Sequence, residues 1–409
     1  MKQLTRLLWS ISFILICVGC SQVEEPALNQ SGQKLNTRGA SAITPVLTKS
    51  EAISIANNAL NRTNDNSITS VSVITDTNED YVGGFLSDTL AYVVKYGVDK
   101  GYAIVANDRR ITTPLAYSAK GNFPDDPSIL KYLVLDRIPK LMESLNNGEL
   151  DYRLNANPTI RYIVEPQIDV PISIFPPFSN QIEKDFGSFN AGFGVVSSAT
   201  LLSFFYDDYT FNHYSYGLKQ MVYALKQGPG YDPIAPIGDF PGIVYPDPDL
   251  TISFINSYNG ALAGYNQLLY DIGIATNTRY YIDGRAYTSP NMVKNFLSGQ
   301  GFELSDEIEG YPYNSIVQYL TDGYIINLWF KCLHKDGSPV DVPVFEAPIS
   351  ILIDGCDVKL NEYGDIVDGS FRIVTGVDQE FDIYINPMIW LEDTNDEMEV
   401  ISRYGVKAK

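Results

Sequence analysis

Apolar positions first recur at helical spacing after Thr48-Lys49-Ser50-Glu51, where Ala52, Ile55, Ala56, Ala59 and Leu60 share one face. Thr48 followed three residues later by Glu51 is a capping-box pattern, so a helix is predicted to start there. The period then changes to that of strands. TLAYVVKYG (89–97) and GYAIVAND (101–108) are rich in β-formers and flank Val98-Asp99-Lys100, which predicts a hairpin. PLAYSAKGNF (114–123) reads as a third strand, and ILKYLVLDRIPKLMESLNNG as a helix over 129–148 bent by Pro139. Further on, NAGFGVVSSATLLSFFYDD (190–208) sets two glycines around Phe193 ahead of a small and apolar run, which predicts about three turns of buried helix. The fold class is α+β.

Length adds a division. A chain of 409 residues exceeds one average domain, and a hydrophobic share of 45% is ample for a core. The boundaries read as 1–19 for a leader, 20–44 for a polar tether, 45–155 for a small α+β domain and 165–409 for a larger one. In the leader, Lys2 and Arg6 precede an apolar run from Leu7 to Val18, and Gly19-Cys20 follows. That ending resembles a bacterial lipobox, which implies a mature chain starting at a lipidated Cys20. The acidic SQVEEP (21–26) behind it resembles the export signal of surface lipoproteins in Bacteroides-type bacteria, which implies an outer-membrane, surface-exposed location; periplasmic or secreted placement is the alternative.

Charge removes function classes. A formal net charge of −20 with no basic run repels nucleic acid and anionic headgroups, so the membrane is reached through the lipid anchor alone. The two histidines, His213 and His334, and the cysteines Cys332 and Cys356 have no metal-ligand spacing, and no cofactor is expected. The acidic clusters at 245–249 and 365–370 lack EF-hand spacing and read as solvated turns.

The order of words from Thr48-Lys49-Ser50-Glu51 through Gly101-Tyr102-Ala103-Ile104-Val105-Ala106-Asn107-Asp108 to Pro114-Leu115-Ala116-Tyr117-Ser118 resembles the propeptide of streptopain-family cysteine peptidases. The same module occurs separately as an inhibitor of those enzymes. The second half resembles their papain-like domain. The family's nucleophile helix reads like Gly-Cys-Gly-Pro-Val-Ala-Val-Ala-Gln-Ile-Met-Ser-Tyr-Tyr, and Gly192, Gly194, Val196, Ala199 and Ser203 coincide with it. The nucleophile position falls on Phe193. The family's histidine strand, like Gly-His-Ala-Trp-Val-Ile-Asp-Gly-Tyr, aligns with Pro348 to Cys356, so the base position falls on Ile349 and Ile353-Asp354-Gly355 matches. The resemblance implies an oxyanion donor at Gln181 and a histidine-supporting remnant at Asn386.

A thiol peptidase needs a thiolate and a base, and neither Phe193 nor Ile349 supplies one. The resemblance therefore implies a pseudo-peptidase without a working dyad, binding or regulating a sibling cysteine peptidase or a host protein. Two alternatives stand beside it: an active peptidase whose nucleophile has moved to Cys332 or Cys356, served by His334, and a structural or adhesive surface lipoprotein. Ser197 and Ser198 read as small helix-packing residues. The linker within 150–175 is expected to stay uncut.

Overall fold

The computed structural model describes residues 46–62, 68–75, 89–123, 129–150, 158, 160–168, 181–184, 187–190, 192–211, 214–227, 258–280, 286–308, 313–332, 348–375, 383–390 and 398–409. The leader, the tether with Cys20, the 245–249 cluster, His213 and His334 lie outside these residues.

The first helix, α1 (Lys49–Ala59), starts where the capping box requires. Thr48 Oγ1 accepts from the Glu51 amide at 3.3 Å and Glu51 Oε2 accepts from the Thr48 amide at 2.7 Å. Arg109 also donates to Glu51, and with the Thr48 bonds it holds the Glu51 carboxyl down at about 2. Strand β1 (Ile68–Thr75) comes next. It leads into the expected hairpin of β2 (Thr89–Tyr96) and β3 (Tyr102–Ala106), whose turn has Asp99 at φ 57° and Gly101 at φ 86°. Strand β4 (Ala116–Ser118) is shorter than the run that predicts it.

Residues 129–148 form two helices rather than one bent helix. Helix α2 (Ile129–Leu133) stops, a 3-10 turn (Leu135–Arg137) follows, and α3 (Ile138–Asn147) starts with Pro139 in its first turn. Proline at that position loses no helical hydrogen bond, so it opens a helix instead of bending one.

Beyond β5 (Ile160–Val164) comes a ribbon of β6 (Gln181–Lys184) and β7 (Gly187–Asn190), which leads to the buried helix α4 (Phe193–Phe205). A second ribbon, β8 (Asp208–Phe211) with β9 (Tyr214–Gly217), precedes α5 (Leu218–Gln227) and α6 (Tyr258–Ala275). The pair β10 (Arg279–Tyr280) and β11 (Ala286–Tyr287) then leads to α7 (Pro290–Gly299), capped by Ser289. Strand β12 (Phe302–Leu304), helix α8 (Tyr313–Thr321) and strands β13 (Ile325–Cys332), β14 (Ile349–Leu360) and β15 (Ile366–Val374) follow. The chain closes with β16 (Ile383–Ile385) and β17 (Met398–Ala408).

Eleven strands make one antiparallel sheet in the order β1-β2-β3-β4-β16-β15-β14-β13-β17-β12, with β5 added on β14. Segments 45–155 and 165–409 are thus not separated by a gap between sheets: β4 pairs directly with β16, Tyr117 opposite Tyr384 and Ala116 opposite Ile385. Alternation along each strand sorts side chains into layers. At the N-terminal end, Ala103 and Val105 of β3 face α1 with Ala52 and Ala56, while Tyr102, Ile104 and Ala106 join the opposite layer with Leu141 and Leu145 of α3. In the second half, Trp329, Leu352 and Tyr404 pack with α4, α6 and α7. The opposite layer of that half holds Phe330, Ile349, Ile351 and Ile353, and it is continuous with the layer under α3.

Candidate functional site

Two backbone constraints set the start of α4. Gly192 is its N-cap at φ 82°, a left-handed value that favours glycine, and a Cβ there would lie 3.2 Å from the Ala286 Cβ. Gly194 sits against the Trp329 indole, where a Cβ would come within 2.3 Å of the ring. Both glycines are therefore fixed by geometry, whatever stands between them. Phe193, at the first helical position, is 8% exposed. Ile349, the first residue of β14, is fully buried, and the two share one apolar cluster.

Hydroxyls tie the same helix and strand together. Ser350 Oγ lies 2.9 Å from Ser197 Oγ and 2.7 Å from Asn327 Oδ1, and Asn327 Nδ2 donates to the Tyr404 hydroxyl at 3.2 Å. Ser197 and Ser198 donate to the Gly194 carbonyl at 3.1 and 2.7 Å. As expected, these serines satisfy the helix backbone. The chain Gly194–Ser197–Ser350–Asn327–Tyr404 is buried and contains no base, so it serves as a polar strut.

The remaining sequence-level assignments separate. Gln181 stands opposite Asn190 in the β6–β7 ribbon, which places its backbone just ahead of the α4 N-terminus. Asn386 needs correcting. It follows β16, whose Ile385 pairs with Phe371, and Phe371 in turn pairs with Cys356 in the far half of β14. Its amide donates to the Leu115 carbonyl at 2.9 Å, and its Oδ1 accepts from the Met388 amide at 3.0 Å. The segment that returns to the start of β14 is instead the end of β15, where Val374 pairs with Leu352 and buried Thr375 follows. Matching an Asn by residue type overlooked this register.

Cys356 is a free, buried thiol, and burial pushes its pKa up to about 12. A thiol held protonated in this way is no nucleophile at neutral pH. Cys332 ends β13 opposite Met398, just beyond Phe330, the partner of Ile349. The two cysteines therefore lie near opposite ends of β14.

The matching Ile-Asp-Gly has a different task. Asp354 is fully buried, and its Oδ2 accepts from Arg372 Nη1 at 2.7 Å and from the amides of Gln167 and Ile168 at 3.0 and 2.6 Å. Arg372 also donates to the Ile168 carbonyl at 2.9 Å. At Gly355 a Cβ would lie 2.9 Å from the Val164 carbonyl oxygen. Alongside, β5 pairs with β14 from Ile160–Leu360 to Val164–Cys356, and Arg161 forms a two-pronged ion pair with Asp357 at 2.8 and 2.7 Å. This motif clamps the segment that connects the two halves.

Comparison with known families gives a match in the N-terminal part of the chain. Residues 44–135 match the Spi protease inhibitor family. The inhibitor-like module so defined comprises α1, the β1–β4 strands and the start of the helical segment after them. No curated protein matches the chain. Among solved structures, a Cys-to-Ala mutant of a prointerpain A fragment from Prevotella intermedia is similar over 81% of this chain and 98% of that one, at 14% identity and a TM-score of 0.43. Among the described residues no helix is long and apolar enough to cross a membrane, and no three His, Cys, Asp or Glu side chains converge as metal ligands.

Proposed function

We propose that the chain is a non-catalytic relative of the streptopain-type cysteine peptidases, a pseudo-peptidase fused to its own inhibitor-like module and acting by binding or by regulating a peptidase. The observation that supports this reading most directly is the shared burial of Phe193 and Ile349 in one apolar cluster behind an intact glycine frame. Burying two such side chains stabilises the fold by about 1.5–3 kcal/mol each, where a thiolate and imidazole would cost stability. The protein is held at the outer face of the membrane by lipid on Cys20. Its partner is a sibling cysteine peptidase or a host protein.

The position of Cys332, just beyond the partner of Ile349 on β13, favours a second reading in which this thiol has taken over as nucleophile with His334 as base. Casein hydrolysis in reducing buffer separates the two. The pseudo-peptidase reading expects no turnover above blank from the mature chain and no change in Cys332→Ser. Turnover that disappears in Cys332→Ser, with the variant folded by circular dichroism, establishes the second reading instead.

A further inference from the structure

The strands of the inhibitor-like module end differently on their two sides. On one side the seam with the second half is closed by the β4–β16 pair. Beside it Thr112 donates to Asp368 at 2.9 Å, Thr113 donates to the other oxygen of that carboxylate, and Lys359 pairs with it at 2.8 Å. The other side ends in β1, and among the described residues no strand lies along its outer edge.

The hydrogen bonds of β2 show which residues of β1 face outward. Between β2 and β3, the Tyr96 amide donates to the Gly101 carbonyl at 3.1 Å and the Asn107 amide donates to the Leu90 carbonyl at 2.9 Å. Peptide groups alternate in direction along an antiparallel strand, so Tyr92 and Val94 also turn theirs toward β3, and Ala91, Val93 and Lys95 turn theirs toward β1. The partners of these three are Ile74, Ser72 and Ser70. Thr69 Oγ1 donates to the Lys95 carbonyl at 3.2 Å, in keeping with that direction. Val71 and Val73 are left with N–H and C=O groups aimed away from β2, between register shifts at 68/70 and 74/75.

Natural sheets blunt such an edge with lysine, proline or a covering segment. The run ITSVSVIT holds no charged residue and no proline. Helix α1 packs on β2 and β3, and the Val73 side chain at the rim of that layer is 52% exposed. The run is also complementary to itself. Turned about a two-fold axis at Ser72, it sets each Val71 opposite a Val73 as a hydrogen-bonded pair, which exchanges both backbone bonds. Ser72 then meets Ser72 on the axis, and each exposed Val73 gains a valine neighbour. Centring the axis on either valine instead draws Thr69 or Thr75, at the register shifts, into the ladder. Two copies of a chain with net charge −20 repel each other, and contact is least opposed along a stretch without acidic residues.

We propose that two copies of this chain pair through β1, antiparallel and two-fold symmetric, in the Val71–Val73 register. The two sheets then become one continuous sheet across the axis. This assignment does not depend on whether Phe193 marks a lost nucleophile.

The test uses the full mature chain carrying Cys20→Ser, so that no lipid drives association. By light scattering after gel filtration, the mass is expected to rise from one chain toward two between micromolar and several hundred micromolar protein. Val73→Lys puts a charge on the edge at a half-exposed position, and it is expected to weaken association at least tenfold with an unchanged circular dichroism spectrum. A mass of one chain at every concentration overturns the proposal and makes another segment, such as residues 76–88 of the same chain, the occupant of the edge. A dimer that Val73→Lys leaves intact overturns it too. Ser72→Cys reads the register: facing residues of a non-hydrogen-bonded pair have Cα atoms about 4.5 Å apart, so mild oxidation is expected to cross-link two copies. Ser50→Cys, on α1, is expected to give no such cross-link, and equal cross-linking of the two variants overturns the register.

Discussion

Strand β14 is two kinds of structure along its length. Its first half, from Ile349 to Ile353, puts isoleucines into hydrocarbon on one face and a single serine into the Ser197–Asn327 strut on the other. Its second half carries Asp354, Asp357 and Lys359, each with a named ionic partner, and through them it holds the linker, β5 and the module seam. Charge is present where it fastens one segment to another, and the stretch from Ile349 to Ile353 carries none. A buried charge is retained only where geometry supplies its partners, and in this strand those partners are structural. The Ile-Asp-Gly match, read on its own, points to chemistry; the neighbours of Asp354 show that it is a clamp.

The contrast can be broken from either side. Asp354→Ala removes the acceptor of Arg372 and of two backbone amides, and stranding a buried guanidinium is expected to cost about 3–5 kcal/mol in urea unfolding. Ile349→His tests the first half. It exchanges a buried aliphatic side chain for an imidazole lacking an established partner, and a loss of about 3 kcal/mol is expected from the transfer and desolvation terms together. An unchanged midpoint would mean that this half still accommodates a base, which would weaken the pseudo-peptidase reading.

Asp368→Asn gives the smallest effect, about 1–2 kcal/mol at neutral pH. Burial pushes the Asp368 carboxyl up, but hydrogen bonds from Lys359, Thr113 and Thr112 outweigh it and leave the pKa below its ordinary value. A carboxyl whose folded pKa is lowered stabilises the fold above its unfolded pKa, and loses that contribution as pH falls through the folded value. The stability gap between the natural chain and Asp368→Asn should therefore be constant near neutrality and close in acid below about pH 4. A gap that widens in acid would contradict the sign.

Much of this was legible in the sequence wherever the signal is local. The capping box at Thr48, the β2–β3 hairpin and the buried α4 each follow from a few neighbouring residues, and each is present. Strand β1 was missed because ITSVSVIT mixes hydroxyl and aliphatic residues on a largely exposed strand, so no clear apolar alternation marks it. The Asn386 assignment failed for a different reason: its distance from Ile349 is set by the pairing register among β14, β15 and β16, which residue types do not encode. Asp368 read as a solvated turn because its donors Thr112 and Thr113 come from the other end of the chain. The glycine frame was recognised, but the cause at Gly194 lies in Trp329 and at Gly192 partly in Ala286, both far away in sequence.

That distance bears on how the protein is made. Thr112 and Asp368 stand 256 residues apart, and β16 comes later still. A chain emerging from its N-terminus presents β4 as an open strand edge for most of its synthesis, until nearly all of the sequence is available to cover it. Closing so long a loop costs only modest entropy beyond a shorter one, but contacts of this separation form slowly. Open edges recruit other strands while they wait. The seam that joins the halves is thus among the last parts of the molecule to form, and a chain that ends before Ile383 would keep its inhibitor-like module with an unpaired edge.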